Sequence, residues 1–291
     1  MPKPTKRMAP SFTADTCLVA VVSDLHCGST VALCPPRIEL DDGGFYEASK
    51  AQRWMWERWH TFWESIERRR DKEKADLIFV CNGDATDGNH HGTTQILSGN
   101  PTAQAAVVNA VLHYPLTLQP NALAFIRGTE AHVGPSAAYE ERIAVGLKKD
   151  GRPVVTDPAT GAASWWKFPM DVQGVRFDFA HHGKVGTRPW TKMTAPYTKA
   201  FEIWAEAGMR NEPPPHVAVR SHMHRFADTY SAYPTRLIQT PAWQLATAYT
   251  YRIAPDSLAD IGGVVLTVRD GALTVDPHLY RPDPTPAWRA R

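Results

Sequence analysis

The residues of this 291-residue chain best suited to chemistry are histidines and carboxylates that follow apolar segments. Asp24 and His26 follow one such segment, and Asp84 and Asp87 follow another. Eight of the 12 histidines lie at or just beyond the end of an apolar segment: His26, His90, His91, His132, His181, His182, His222 and His224. Imidazoles combined with carboxylates suit divalent ions such as Mn, Fe or Zn. They do not suit a structural thiolate zinc site or an all-oxygen calcium site.

The number of candidate ligands indicates more than one ion. About seven donors are too many for a single tetrahedral ion, whereas two neighbouring ions would use them. Each short motif is weak alone, because an Asp-x-His or a Gly-Asp turn also occurs as ordinary turn chemistry. The stretch FIRGTEAHVG adds Glu130 and His132 after another apolar run.

The elements that must position these residues are predicted from apolar, β-branched runs between polar segments. Eight strands are predicted, over residues 17–24, 76–84, 121–128, 175–182, 216–222, 236–243, 262–270 and 272–280. Helix-like stretches cover residues 45–70, 102–118, 136–149 and 196–208. Alternation of strands and helices predicts an α/β layer, and the strand-rich second half predicts another sheet packed on it.

The predicted organisation is a flexible N-terminus over 1–16, a single domain over 17–281 and a tail over 282–291. No run of about 18 apolar residues and no apolar signal segment occurs, so we expect a cytoplasmic protein without a membrane partner. In that compartment the four cysteines should be free thiols. A net charge of +2 does not by itself indicate a nucleic-acid partner.

The segment RWMWERWHTFWESIERRR interleaves arginines with tryptophans, a composition that can stack on bases. Its large apolar residues, however, recur at helical spacings of three and four: Met55, Trp59, Phe62, Trp63 and Ile66. This pattern favours a buried helix face over base stacking.

Taken in order, the motifs resemble those of the calcineurin-like metallophosphoesterase family. These motifs are Asp24-x-His26, Gly83-Asp84-x-x-Asp87, a turn led by Gly128, His182-Gly183 and His222-x-His224. The resemblance implies a four-layer α/β/β/α sandwich of two mixed sheets flanked by helices, with two divalent ions at the strand ends. Mn, Fe, Zn or Ni would fill the site, and Mn is expected to support activity in vitro.

Carried over residue by residue, the resemblance implies that Asp24, His26 and His224 hold one metal ion. His182 and His222 hold the other, and Asp84 bridges them. Asp87 would orient the catalytic histidine. Ser221 stands where the family has the glycine of its GHxH motif, which is tolerable if the backbone there does not have positive φ.

The stretch GTEAH departs from the GNH motif of the family. Aligned without a gap, Thr129 takes the position of the Asn ligand and Glu130 that of the catalytic histidine. Aligned with one extra residue before the ligand and one after it, Glu130 becomes an oxygen ligand and His132 the catalytic acid. We prefer the second alignment, because residues two apart in an extended turn point the same way.

The resemblance implies phosphoester hydrolysis, with a metal-bridging hydroxide attacking phosphorus and His132 as general acid. A phosphodiesterase is expected, a DNA or RNA nuclease of the same fold is one alternative, and a non-catalytic scaffold with a degraded site is another. The partner would be a phosphoester substrate, a nucleotide or nucleic acid among them. Candidate substrate contacts are Asn89, His90, His91 and Arg127.

Overall fold

We describe the protein from a computed structural model. The structure describes residues 12–90, 92–184, 186, 188–256 and 258–283. Most of the predicted flexible N-terminus and of the predicted tail lies outside these ranges, as does His91, so the predicted division of the chain stays a prediction.

The first sheet has six strands in the order β13-β12-β1-β4-β5-β6. They are β1 (Thr16–Val22), β4 (Asp76–Cys81), β5 (Ala122–Ile126), β6 (Ser164–Trp165), β12 (Ile261–Arg269) and β13 (Ala272–Tyr280). The pairs β1–β4, β4–β5 and β5–β6 are parallel, whereas β12 pairs antiparallel with both β1 and β13. The three adjacent parallel strands β1, β4 and β5 therefore end at one edge of the sheet.

The second sheet has five strands in the order β10-β11-β9-β8-β7. They are β7 (Phe168–Val172), β8 (Val175–His182), β9 (Val217–Ser221), β10 (Ala227–Asp228) and β11 (Arg236–Gln239). Strands β8, β9 and β11 run parallel, and the edge strands β7 and β10 are antiparallel to their neighbours. A separate hairpin is formed by β2 (Arg37–Glu39) and β3 (Phe45–Glu47).

The long helices cover the outer faces of the sheets, and the short helices lie in loops. The helices are α1 (Lys50–Glu73), α2 (Pro101–Thr117), α3 (Glu130–Val133), α4 (Ala138–Lys149), α5 (Thr194–Met209) and α6 (Ala248–Ile253), with 3-10 helices at Pro135–Ala137 and Pro189–Thr191. Alternate residues of β1 divide between two cores: Leu18 packs towards α1 and α2, and Val19 packs between the sheets. Because α5 packs on the second sheet, the order of layers is α/β/β/α, as predicted.

The tryptophan-rich segment is a buried helix face, as its spacing predicted. Trp59 and Trp63 on α1 are fully buried, and the ring of Trp59 meets that of Trp243 edge to face at 4.9 Å. Helix α1 begins at Lys50 rather than at residue 45, because Ser49 and Gln52 form a capping box. The four cysteines are free and buried.

All eight predicted strands are present, within a few residues of the predicted bounds. The elements that sequence patterns did not reveal are short, such as β6, β10 and α3, and so contain too few residues for a period to be read. Within the described ranges, no helix combines the length and apolar character needed to cross a bilayer.

Candidate metal centre

The candidate site lies where the loops after β1, β4, β5, β8 and β9 meet. The first two loops are joined by their main chains: Asp24 N donates to Gly83 O at 2.9 Å, and His26 N donates to Asp84 O at 3.0 Å. This arrangement follows from the parallel strands, whose carboxyl ends share one edge of the sheet. Asp24, His26 and Asp84 are all at most 1% exposed.

Left-handed backbone conformations concentrate at this site. Five candidate ligands have positive φ: Asp24 (51°), His26 (44°), Asp84 (56°), His222 (76°) and His224 (52°). Such conformations are uncommon for residues other than glycine and cluster at functional sites. Ser221 is not among them, so its side chain is tolerated where the family has glycine. Its hydroxyl accepts from Asn82 Nδ2 at 2.6 Å.

The first group of donors consists of Asp24, His26 and His224. His26 Nε2 lies 3.1 Å from His224 Nε2 and 3.9 Å from Asp24 Oδ1, and His224 Nε2 lies 3.4 Å from Asp24 Oδ1. Donors at about 2.1 Å from one ion are separated by about 3.0 to 3.4 Å when they subtend 90° to 109°. Two of the three distances fall in this range, so the group fits a divalent ion.

The second group consists of Asp84, His181 and His222. His181 Nε2 lies 3.0 Å from Asp84 Oδ2 and 3.9 Å from Asp24 Oδ1. Among the described residues, these three atoms form no hydrogen bond of acceptable geometry although all are buried. Buried carboxylate and imidazole atoms that converge in this way form a donor set that suits a divalent ion.

The structure brings His181, rather than the predicted ligand His182, into this group. His181 lies on the same face of β8 as Phe177 and Phe179, which are buried between the sheets, and the register of β8 against β9 shifts between Phe179 and His182. His181 is 1% exposed and its Nδ1 lies 2.8 Å from Asn82 O, which leaves Nε2 towards the carboxylates. His182 is exposed, and its Nε2 lies 3.5 Å from Thr129 Oγ1.

The turn GTEAH is helical rather than extended, which separates Glu130 from His132. In helix α3, residues two apart point about 200° away from each other. The Glu130 carboxylate accepts from Ser136 N at 2.9 Å and is outside every metal-capable group of the described residues. Thr129 instead faces the site, with Oγ1 3.2 Å from His222 Nδ1 and its N–H donating to Asp84 Oδ1 at 2.6 Å.

The structure thus combines the two alignments. Thr129 lies at the site, as the alignment without a gap predicts, and His132 lies there too, as the alignment with two extra residues predicts. Gly128 is required between β5 and Thr129, because a Cβ there would collide with Asp84. Nothing in the sequence indicated that Thr129 would follow one alignment and His132 the other.

Asp87 contacts both His26 and His132, but with different atoms. Its carboxylate Oδ1 lies 3.1 Å from His26 Nδ1 and accepts from Gln244 Nε2 at 3.1 Å. Its main-chain carbonyl lies 2.8 Å from His132 Nδ1, whereas the carboxylate is 3.9 Å away. The side chain of Asp87 is therefore placed to orient a candidate metal ligand, and its main chain to orient His132.

The predicted substrate contacts are dispersed. His90 lies beside the site, with its ring 4.5 Å from that of His132. Asn89 is exposed and lines a separate cavity together with Glu130. Arg127 is turned away: its guanidinium donates to Ser164 Oγ at 2.9 Å and lies over Trp166. His91 is outside the described residues.

Without cations, the charges of the cluster are balanced by protonated histidine. Burial opposes the charge of His181, but the attraction of Asp84 and Asp24 outweighs it and raises the pKa of His181 to about 10. Burial of Asp24 is likewise outweighed by His181 and His224, which lower its pKa to about 2. The carboxylates are therefore ionised at neutral pH, and a cation that binds them must displace the proton of His181.

Glu140 on α4 is a buried residue that supports the site and was not among the residues predicted from the sequence. Its carboxylate accepts from Gly128 N at 2.6 Å and from Ala85 N at 3.3 Å, so it joins the two loops that carry Thr129 and Asp84. Burial, reinforced by the charge of Asp84, raises the pKa of Glu140 to about 8. A signal existed: Glu140 lies at helical spacing from Ile143, Ala144 and Leu147 on the buried face of α4.

Glu140 should make the stability of the metal-free protein pH-dependent. Its folded pKa of about 8 exceeds the unfolded value of 4.5, so its stabilising contribution is complete below pH 4.5 and is lost as the pH rises through about 8. The free energy of unfolding of wild type, relative to the Glu140→Gln variant, should therefore fall between pH 5 and 8. Urea unfolding in EDTA at several pH values measures this difference.

Glu141→Gln is the matched control, because Glu141 is the next residue of α4 and also braces a loop. It accepts from Ala163 N and Ser164 N, away from the candidate ligands, and its pKa is lowered. That variant should keep the pH dependence of wild type. If both variants changed the dependence equally, Glu140 would not be its source.

Two adjoining cavities open at the cluster. One, of about 410 Å³, is lined by His26, Asp84, His132, His222 and His224 and by the loop that leads into α6. The other, of about 600 Å³, lies between residues 92–95 and α6. A cavity of about 710 Å³ under α5 is larger, but its lining includes none of the candidate ligands, so we place the site at the first two.

The chain is thus an α/β/β/α protein with a histidine and aspartate cluster that can hold divalent metal at the carboxyl ends of its strands. No protein-family model matches the chain, and no curated protein matches it.

Solved structures do align with most of it. Vps29 from Chaetomium thermophilum is 12% identical, with 94% of this chain and 97% of that chain covered and a TM-score of 0.43. A predicted phosphoesterase from Streptococcus pneumoniae is 9% identical, with 90% and 88% covered and a TM-score of 0.36. Vps29 complexed with Zn²⁺ from Entamoeba histolytica is 10% identical, with 90% and 98% covered and a TM-score of 0.35. Identities and scores this low do not assign a function, which must come from the site itself.

Proposed function

We propose that the protein is a phosphodiesterase of the calcineurin-like type that depends on two divalent ions. The observation that carries this proposal is the pair of adjoining donor groups, in which buried carboxylate and imidazole atoms converge: Asp24, His26 and His224 form one group, and Asp84, His181 and His222 form the other. This is the donor set that divalent ions such as Mn, Fe or Zn prefer.

In this proposal, Asp24, His26 and His224 would hold one ion, and Asp84, His181 and His222 would hold the other. The Thr129 hydroxyl takes the place of the Asn amide of the family. The two ions, when bound, would supply a nucleophile by lowering the pKa of water and would neutralise charge on the phosphoryl oxygens.

His132 is the proposed proton donor to the leaving oxygen. Its Nδ1 faces the carbonyl of Asp87, which fixes the tautomer, and its ring lines the cavity at the cluster. Burial, reinforced by the charge of His26, lowers the pKa of His132 to about 4 in the absence of substrate. An anionic phosphoryl group beside the imidazole would raise that pKa and favour the protonated form.

A second candidate function is a non-catalytic scaffold on the same fold. One observation favours it: the oxygen ligand expected at GTEAH is a neutral hydroxyl, since Glu130 is turned towards Ser136. A hydroxyl is a weaker ligand for a divalent ion than a carboxylate.

Metal content and turnover together test the proposal. After incubation with Mn²⁺ and removal of excess, elemental analysis should find two ions per chain, and the loaded protein should hydrolyse bis-p-nitrophenyl phosphate. The Asp84→Asn variant should bind less metal, and its rate should fall at least about 100-fold. Even residues that only support a metal ligand contribute 10- to 100-fold to metal affinity or activity. Metal-loaded protein without turnover would favour the scaffold.

A further inference from the structure

The cleft beside the cluster continues into a space that the chain itself does not fill. The 600 Å³ cavity shares His90, Thr247 and Tyr249 with the cavity at the cluster. We propose that it is a subsite for a planar ring carried by one ester group of the substrate, with Tyr249 as its stacking surface. This inference rests on the proposed phosphodiesterase function.

The two walls of this cavity are joined in the unliganded protein. Ala248 N at the start of α6 donates to Gln95 Oε1 at 2.7 Å, and Thr247 caps the helix by accepting from Thr250 N. The opposite wall is anchored by Thr30 N, which donates to Gln95 O at 3.0 Å. The space is therefore preformed, as in most small-molecule sites, and its volume falls within their usual range of roughly 300 to 1,000 Å³.

The residues that line the cavity indicate which kind of ligand it suits. Its charged residues, histidine aside, are Asp87 and Arg252, and the Asp87 carboxylate is buried against His26 and Gln244. The exposed charge is that of Arg252, whose guanidinium lies 5.4 Å from the centre of the Tyr249 ring. Thr93, Thr94 and Thr247 are among its uncharged polar residues. Such a surface suits a neutral or anionic group with hydrogen-bonding edges.

Tyr249 is the residue that connects this subsite to the reacting centre. Its ring is 61% exposed and borders both cavities, so a ring stacked on it would lie next to a phosphoryl group at the cluster. A phosphate ester that carries such a ring, a nucleoside phosphate for example, would use both cavities. Inorganic phosphate would use the first alone.

Calorimetry on the Mn-loaded protein tests this subsite without turnover. Adenosine 5′-monophosphate should bind more tightly than ribose 5-phosphate and inorganic phosphate. Tyr249→Ala should weaken the binding of adenosine monophosphate by about 5- to 100-fold, the range found for base stacking on an aromatic residue. The affinities for ribose 5-phosphate and inorganic phosphate should stay unchanged. Tyr251→Ala is the control, since Tyr251 is 55% exposed on the same helix but lines neither cavity.

The outcomes separate the subsite from the metal centre. Equal affinities for the three phosphates in wild type, or equal losses in the two tyrosine variants, would overturn the subsite and leave the metal centre intact. Failure of loaded wild type to bind any of the three would overturn the proposed function and the subsite with it. Because both tyrosines are exposed, neither substitution should disturb folding, which circular dichroism verifies.

Discussion

Replacement of His181 by alanine should remove one of the two bound divalent ions, whereas replacement of His182 should leave both bound. His181 Nε2 lies 3.0 Å from Asp84 Oδ2 in the buried cluster, and the exposed His182 lies near Thr129, with its ring 5.0 Å from that of His222, and belongs to no metal-capable group of the described residues. Loss of a ligand should weaken the binding of the second ion by more than roughly 10- to 100-fold, which is the effect of losing a residue that only supports a ligand. Mn²⁺ titration by calorimetry, with elemental analysis of the dialysed protein, measures the number of ions.

His181 is also the neighbouring positive charge for Asp84 in the metal-free protein, so the alanine variant will be less stable. His181→Gln keeps the volume of the side chain and serves as a second variant, and thermal unfolding shows whether each protein is folded before titration. The opposite result, with the ion lost in His182→Ala and kept in both His181 variants, would restore the ligand predicted from the His-Gly motif. It would mean that His182 rather than His181 turns towards Asp84 when metal binds.

The second large effect is expected at His132. His132→Ala should slow the hydrolysis of phosphodiesters with poor leaving groups by about 10²- to 10⁴-fold, the usual contribution of a general acid. Esters of p-nitrophenol should lose far less, because their leaving group departs without a proton. The measurement is kcat/KM over a series of aryl phosphodiesters, plotted against the pKa of the leaving phenol, and the slope should become steeper in the variant.

Glu130→Gln is the control for this experiment, because Glu130 begins the same helical turn but its carboxylate faces Ser136. The variant should show the wild-type dependence of kcat/KM on the pKa of the leaving phenol, and it should still bind both ions. Equal losses by His132→Ala on every ester would contradict the role of proton donor. A loss of metal in that variant would instead identify His132 as a ligand, since its imidazole also lies within reach of His26 and Asp84.

The sequence was sufficient for the framework of the fold. Strands such as β1 and β4 are buried apolar runs, and α1 repeats large apolar residues every three or four positions, so the hydrophobic pattern predicts them. Elements such as β6 and α6 have 2 and 6 residues and depend on neighbours that are distant in the chain. No local pattern can predict them.

The candidate site was predictable in its members but not in their orientation. Asp24, His26, Asp84, His222 and His224 follow strands, and parallel strands bring their ends together. His182 was predicted from the His-Gly motif, whereas the period of β8 puts His181 on the face that carries Phe177 and Phe179. Glu130 is turned away by helix α3, which has four residues and is too short for a local pattern to predict.

The left-handed conformations of the five candidate ligands have a consequence for how metal is acquired. Each costs roughly 1 to 3 kcal/mol and persists only because the surrounding structure imposes it. The donor atoms are therefore arranged by folding of the chain and not by the arriving ion. Uptake of metal should therefore release the proton of His181 while the backbone changes little.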